Sequence, residues 1–203
     1  MGSDRVFMTV TNWRAELPVL TGRTVLLREP IATDLGPLVD LLSLGDATRF
    51  GLEGPPSEYA VSQMIEHAAI DRTNGQGLTF VVTIAATRSV VGLLQIRQLD
   101  PAFEAAEWEC TIAPSVRGSS VFLEAARLAG SFAFGSIGTH RLEARVPLQN
   151  GRGNGALRKL GAVQEGILRR SAKRAGDYID QVLWSMLKED WGDHWVATGP
   201  RVH

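Results

Sequence analysis

The chain has 203 residues, 44% hydrophobic and 21% charged, with a formal net charge of −1. That composition builds a core without disulfides or metal, and the near-zero charge excludes a global field that recruits nucleic acid or an anionic membrane. A single cysteine, Cys110, excludes an intramolecular disulfide and is compatible with a cytoplasmic location.

No apolar run reaches the roughly 18 residues that a membrane-spanning helix needs, and the N-terminus lacks a signal-peptide pattern. The histidines, His67, His140, His194 and His203, stand too far apart for zinc spacing, so no metal is expected. No GxxxxGK[ST] loop occurs, which argues against a P-loop nucleotide enzyme. The length fits one domain over 1–203, with 1–20 as an N-terminal arm and 188–203 as a polar tail. Trp13 and Leu17 anchor the arm; Trp191 and Trp195 punctuate the tail.

Thr24 to Arg28 reads as the first strand, closed by Pro30. Thr33 or Asp34 caps a helix to about Leu44, with Leu35, Leu38, Val39, Leu41 and Leu42 as its apolar side. Gly45 to Pro56 is a Gly- and Pro-rich loop. A second helix runs from Ser57 or Glu58 to about Asp71, its stripe drawn from Ala60, Met64, Ala68 and Ile65 or Ala69, and a Gly C-cap follows. Leu78–Ala85, Val90–Leu99 and the run from Ala106 to Ala113 are three strands joined by short links, hence an antiparallel meander.

Pro114 ends that third strand, and Arg117-Gly118-Ser119-Ser120 makes a small-residue turn. A helical period then places Val121, Ala125, Leu128 and Phe132 on one face. The first N–H groups of a helix lack intrahelical partners and point outward, small residues admit an anion close to the backbone, and Arg117 adds a permanent charge. Arg141–Val146 is a strand placed to pair parallel with the Ala106 strand through this crossover helix. A Gly-rich loop follows, then a short helix from about Asn154 to Leu160. Two last strands, Val163–Ser171 and Tyr178–Leu187, close the chain. The order β-αα-βββ-α-β-α-ββ implies an α/β (α+β) fold: a mixed, mostly antiparallel sheet of seven strands with helices on both faces.

That order resembles the GNAT superfamily of acetyl-CoA-dependent N-acetyltransferases, most closely its RimJ/RimL-like branch. Glu107-Trp108-Glu109-Cys110 stands where the branch has Glu, apolar, Gly, then an aromatic or small polar residue. Asn150 followed by Ala156-Leu157-Arg158-Lys159-Leu160-Gly161-Ala162 is similar to its N-x-x-S-x-x-A-L-x-K-L-G-[FA] stretch. Glu165 to Arg169 is similar to its E-G-x-L-R strand, and Asp180 to Trp191 to its closing strand.

The resemblance implies splayed central strands with acetyl-CoA in the gap, and no metal. It places pantetheine along Cys110, Thr111, Ile112 and Ala113, with Asn150 contacting it or a water. It places pyrophosphate on Arg117, Gly118, Ser119, Ser120 and Val121. An amine, on a protein N-terminus or a small molecule, attacks the thioester directly. Glu107 is the candidate base, acting through water, and Glu109 shares its face of the strand; both also suit a solvated face or the binding of a cationic substrate. Ser120 replaces a Gly of the family's pyrophosphate loop, and Gly153 replaces a Ser that is a candidate donor to the departing thiolate, with Tyr178 as a possible substitute. These two departures motivate a rival reading, a CoA-binding regulatory domain without turnover. A monomer or a homodimer paired through Tyr178–Leu187 is expected.

Overall fold

The computed structural model describes residues 12–44, 54–174 and 176–191. Strands β1 (Leu20–Thr21), β2 (Val25–Arg28), β3 (Gly77–Ile84), β4 (Val90–Gln98), β5 (Ala105–Ile112), β6 (Arg141–Pro147), β7 (Val163–Arg174) and β8 (Asp177–Leu187) form one sheet. Their order across it is β1-β2-β3-β4-β5-β6-β8-β7. All neighbours are antiparallel except β5 and β6. Helices α1 (Leu35–Ser43), α2 (Glu58–Asn74), α3 (Val121–Phe132) and α4 (Gly151–Leu160) connect them.

Local chemistry sets the helix ends. The Ser57 hydroxyl accepts the Ala60 N–H at 3.1 Å to start α2, and Gly75, at φ 72°, ends it in the left-handed region that side chains avoid. The α2 stripe differs from the expected one: Val61 and Ala68 are buried, Met64 and Ile65 half-buried, and Ala60 and Ala69 exposed. Val61 occupies the inward position because α2 must meet Leu38, Leu41 and Leu42 of α1.

Alternation along β3 divides the core. Leu78, Phe80 and Val82 face α3 and α4, packing with Ala125, Ala129, Phe132, Leu157 and Leu160. Val81, with Leu93 of β4, faces α1 and α2. Trp13 and Leu17 are buried in the first of these clusters, so the arm is anchored where the sequence puts it.

Two expectations need correction. Among the described residues the sheet has eight strands, not seven, because Leu20, at the end of the arm, and Thr21 beside it pair with Leu27 and Leu26; two residues carry too little alternation to read as a strand. The Tyr178–Leu187 strand is not a free edge either: β8 lies between β6 and β7, and β7 is the outer strand. The loop expected from Gly45 lies mostly outside the described residues, as does Trp195. Trp191 packs on Phe134 with ring centroids 5.3 Å apart, its indole donating to Ser131 Oγ at 3.1 Å.

One side chain ties α3 to the first hairpin. The Glu124 carboxylate accepts the Arg23 N–H, the Thr24 N–H at 3.0 Å and the Thr24 hydroxyl. Burial pushes this carboxyl's pKa up, but those bonds outweigh it and hold the pKa below the ordinary value. Glu124→Ala removes the acceptor and is expected to lower stability by about 1–3 kcal/mol. A denaturant midpoint that falls at unchanged slope is the check.

Candidate active site

β5 and β6 pair only at Ala105–Arg141, Ala106–Leu142 and Glu107–Glu143. Beyond Glu107 the two strands part, while their outer neighbours stay fully paired: β4 follows β5 to Ile112, and β8 follows β6 to Pro147. The fork opens a cleft of about 840 Å³ walled by β5, β6, the Pro114–Ser120 turn and the start of α4. Phe122 lies against Trp108, rings 6.2 Å apart and 26° from parallel, on the wall rather than across the opening.

Register decides which backbone groups face the cleft. Leu99 N–H donates to Ala105 O, and Ala113 N–H to Val91 O, both at 2.8 Å. In an antiparallel ladder each residue turns both its backbone groups to one side and its neighbour to the other. Odd-numbered residues therefore bond to β4, whereas Trp108, Cys110 and Ile112 turn N–H and C=O into the fork. Of the four residues expected beside pantetheine, Cys110 and Ile112 aim backbone at the cleft; Thr111 and Ala113 do not.

Glu107 and Glu109 share a face, as alternation requires, but not a situation. Glu107 Oε2 accepts Arg97 Nε–H at 3.0 Å and a second Arg97 N–H, while Arg145 Nε stands 3.7 Å from Oε1. Its carboxylate is committed to two guanidiniums. Glu109 lines the cleft and is exposed within it. The concave walls still strip away much of its water. Desolvation raises its pKa; the Arg97 charge opposes the shift and the Glu107 charge adds to it. Burial, with Glu109 nearby, pushes the Cys110 thiol up to about 12, so it stays protonated at neutral pH and is no nucleophile.

The turn before α3 is built for close approach. Gly118 sits at φ 76° with open space where a Cβ would stand. The Ser119 hydroxyl donates to Val116 O at 2.5 Å and accepts the Val121 N–H at 3.3 Å. Val121 is 3% exposed and belongs to the core, so its amide is partly satisfied within the turn. The Gly118 and Ser120 N–H groups meet no protein acceptor among the described residues, and both residues line the cleft with Arg117.

Asn150 caps α4, its Oδ1 accepting the Gly153 N–H at 3.0 Å. A Cβ on residue 153 would lie 2.9 Å from Asn150 Nδ2 and 3.0 Å from Val146 Cγ1. Gly153 thus fits a capping Asn150 that leans over it. Tyr178 is no substitute donor: it is 58% exposed at the start of β8, under Arg170, and is not on the cleft wall. His140 is exposed beside Glu189, also away from the cleft.

Sequence reading missed Arg145, Arg152, Lys159 and Trp108 on the cleft wall. For Arg145 the signal was present: alternation in Arg141-Leu142-Glu143-Ala144-Arg145 puts its charges on the face of Glu107. They complete a ladder across the sheet. Arg141 donates to Glu143 at 2.8 Å and to both Glu165 oxygens at 2.8 and 2.5 Å, and Ser185 Oγ donates to Glu165 at 2.7 Å. The Arg141 bonds, then Ser185, pull the Glu165 pKa from 4.5 to about 2. A depressed carboxylate contributes stability that is complete above the unfolded pKa and lost as pH falls through the folded one. Thermal midpoints are therefore expected to fall more steeply for the wild type than for Glu165→Gln as pH drops from about 4.5 towards 2; parallel curves would contradict the assignment.

Against known proteins, the description "Acetyltransferase (GNAT) domain" matches residues 24–163. An uncharacterized N-acetyltransferase of Bacillus subtilis (strain 168), YoaA, is 26% identical over 84% of this chain and 97% of its own. The fold superposes on a GNAT-family acetyltransferase from Bacillus anthracis with a TM-score of 0.76 at 17% identity, covering 85% of this chain and 99% of that one. It also superposes on a ribosomal-protein-S5-alanine acetyltransferase from Vibrio fischeri with a TM-score of 0.75 at 17% identity, covering 86% and 98%. Together with the forked sheet, these matches place the chain in the GNAT acetyltransferase family, whose members take acetyl-CoA as co-substrate.

Proposed function

We propose that this chain transfers an acetyl group from acetyl-CoA to a primary amine, on a protein N-terminus or a small molecule, and that it falls in the RimJ/RimL-like branch. The observation that carries the reading is the end of β5–β6 pairing at Glu107–Glu143, which opens a cleft beside an anion-ready turn. Pantetheine adds to β5 as a short strand on the backbone of Cys110 and Ile112. The diphosphate rests on the Gly118 and Ser120 amides, with Arg117 beside it. Asn150 borders the pantetheine path.

Glu109 is the base, directly or through water. It is the carboxylate of the pair that faces the cleft, and its raised pKa suits a proton acceptor working near neutrality better than an ordinary glutamate. Glu107, locked between Arg97 and Arg145, positions the strand at the vertex. The deprotonated amine attacks the thioester carbon; a C–N bond forms, the C–S bond breaks and the thiolate leaves. The Trp108 or Cys110 N–H stabilises the oxyanion. With Gly153 in place of a hydroxyl residue, the departing thiolate takes its proton from solvent. A single domain over 1–203, a cytoplasmic setting and a monomeric or dimeric state belong to the same reading.

The test pairs two assays. Acetyl-CoA is expected to raise the thermal midpoint, and an amine panel to release free thiol. Stabilisation without thiol release on any acceptor favours a binding domain; no stabilisation contradicts the reading.

A further inference from the structure

Two positions past the last β5–β6 pair, Glu107–Glu143, each prong of the fork carries a charged residue on the same face: Glu109 on β5 and Arg145 on β6. Both line the cleft. The opposite face is closed by Trp108 and Phe122, which pack together on the α3 side. An acceptor amine therefore reaches the fork over the face of Glu109 and Arg145.

Arg145 is held differently from the other arginines of this face. Its Nε stands 3.7 Å from Glu107 Oε1 and its Nη2 3.8 Å from Glu143 Oε2, near enough to attract but too far to hydrogen-bond. Each of those carboxylates takes its hydrogen bonds from another arginine: Glu107 from Arg97 at 3.0 Å, and Glu143 from Arg141 at 2.8 Å. An arginine that served only to tie the prongs together would close one of those gaps. Arg145 instead leaves its side chain 38% exposed. A guanidinium presents five N–H donors in a planar fork, a shape that grips a carboxylate on two parallel bonds.

We propose that Arg145 holds a carboxylate of the acceptor while the acceptor's amine meets Glu109 across the fork, so that the substrate class is an amine bearing an acid group. This deepens the acetyl-transfer reading above and rests on it. The acid is the α-carboxylate of a free amino acid or the side chain of an acidic residue at a peptide's N-terminus; both set a carboxylate a few bonds from the amine.

The experiment measures acetyl-CoA-dependent thiol release on two matched pairs: glycine against glycinamide, and an amidated tetrapeptide beginning with aspartate against the same peptide beginning with asparagine. In the wild type, kcat/KM is expected to favour the acid member of one pair by about tenfold or more, and that pair identifies the source of the carboxylate. Arg145→Gln is expected to lower the acid-to-amide ratio in that pair by about tenfold to a hundredfold, chiefly through KM. Any loss of kcat that follows from the Glu107 contact is common to both members and cancels in the ratio. Arg145→Lys keeps the charge without the planar fork and is expected to retain part of the preference; it carries the comparison if Arg145→Gln does not fold. A ratio unchanged by either substitution, or a wild type that favours the amide in both pairs or acetylates only amines without an acid group, overturns the proposal while leaving acetyl transfer standing. Thiol release on no amine at all, polyamines included, overturns both.

Discussion

Glu109→Gln is expected to lower kcat by about 10²-fold or more with acetyl-CoA affinity unchanged. The substitution keeps size and removes only the proton-accepting charge. The pH profile separates a base from a structural role. A base must be ionised to work, so activity rises with pH through its pKa, and desolvation moves that limb above the ordinary glutamate range. In Glu109→Gln the limb attributable to this group disappears. Glu107→Gln is the informative contrast. It loosens the Arg97 and Arg145 contacts at the fork's vertex, so kcat falls less and the acidic limb stays. The reverse ranking would return the base to Glu107.

Ser120→Asp is expected to separate folding from binding. Residue 120 immediately precedes α3, where a carboxylate complements the helix dipole by about 0.3–1 kcal/mol. The free protein therefore unfolds at the same temperature or slightly higher. The same charge occupies the place proposed for a diphosphate, and like-charge contact there is expected to weaken acetyl-CoA about a hundredfold or more. A variant less stable without ligand, or one that binds acetyl-CoA as the wild type does, contradicts the assignment of the Gly118–Ser120 amides.

Much of the fold was legible because alternation and helical period are strong signals in long elements. The three-strand meander, the crossover helix and the parallel β6 all stand where Leu78–Ala113, Val121–Phe132 and Arg141–Val146 suggest. Two-residue β1 was not legible, since its identity lies in a partner strand. Nor was the burial of β8 between β6 and β7, because strand order depends on how the last hairpin folds back. At the site, the residue types of Glu107 and Glu109 were visible but their division of labour was not. That division depends on Arg97 and Arg145, which come from two other strands. The Cys110–Ala113 run shows the same limit: the run was readable, but which of its amides face the fork follows from pairing with β4.

The central claim is that the open prongs of β5 and β6 hold acetyl-CoA, and amide hydrogen exchange with and without that ligand tests it most directly. The account predicts slowed exchange at Cys110, Ile112, Gly118 and Ser120, with the amides of Glu109 and Thr111, already bonded to β4, changing little. Protection confined to other segments, or none at saturating acetyl-CoA, would contradict it.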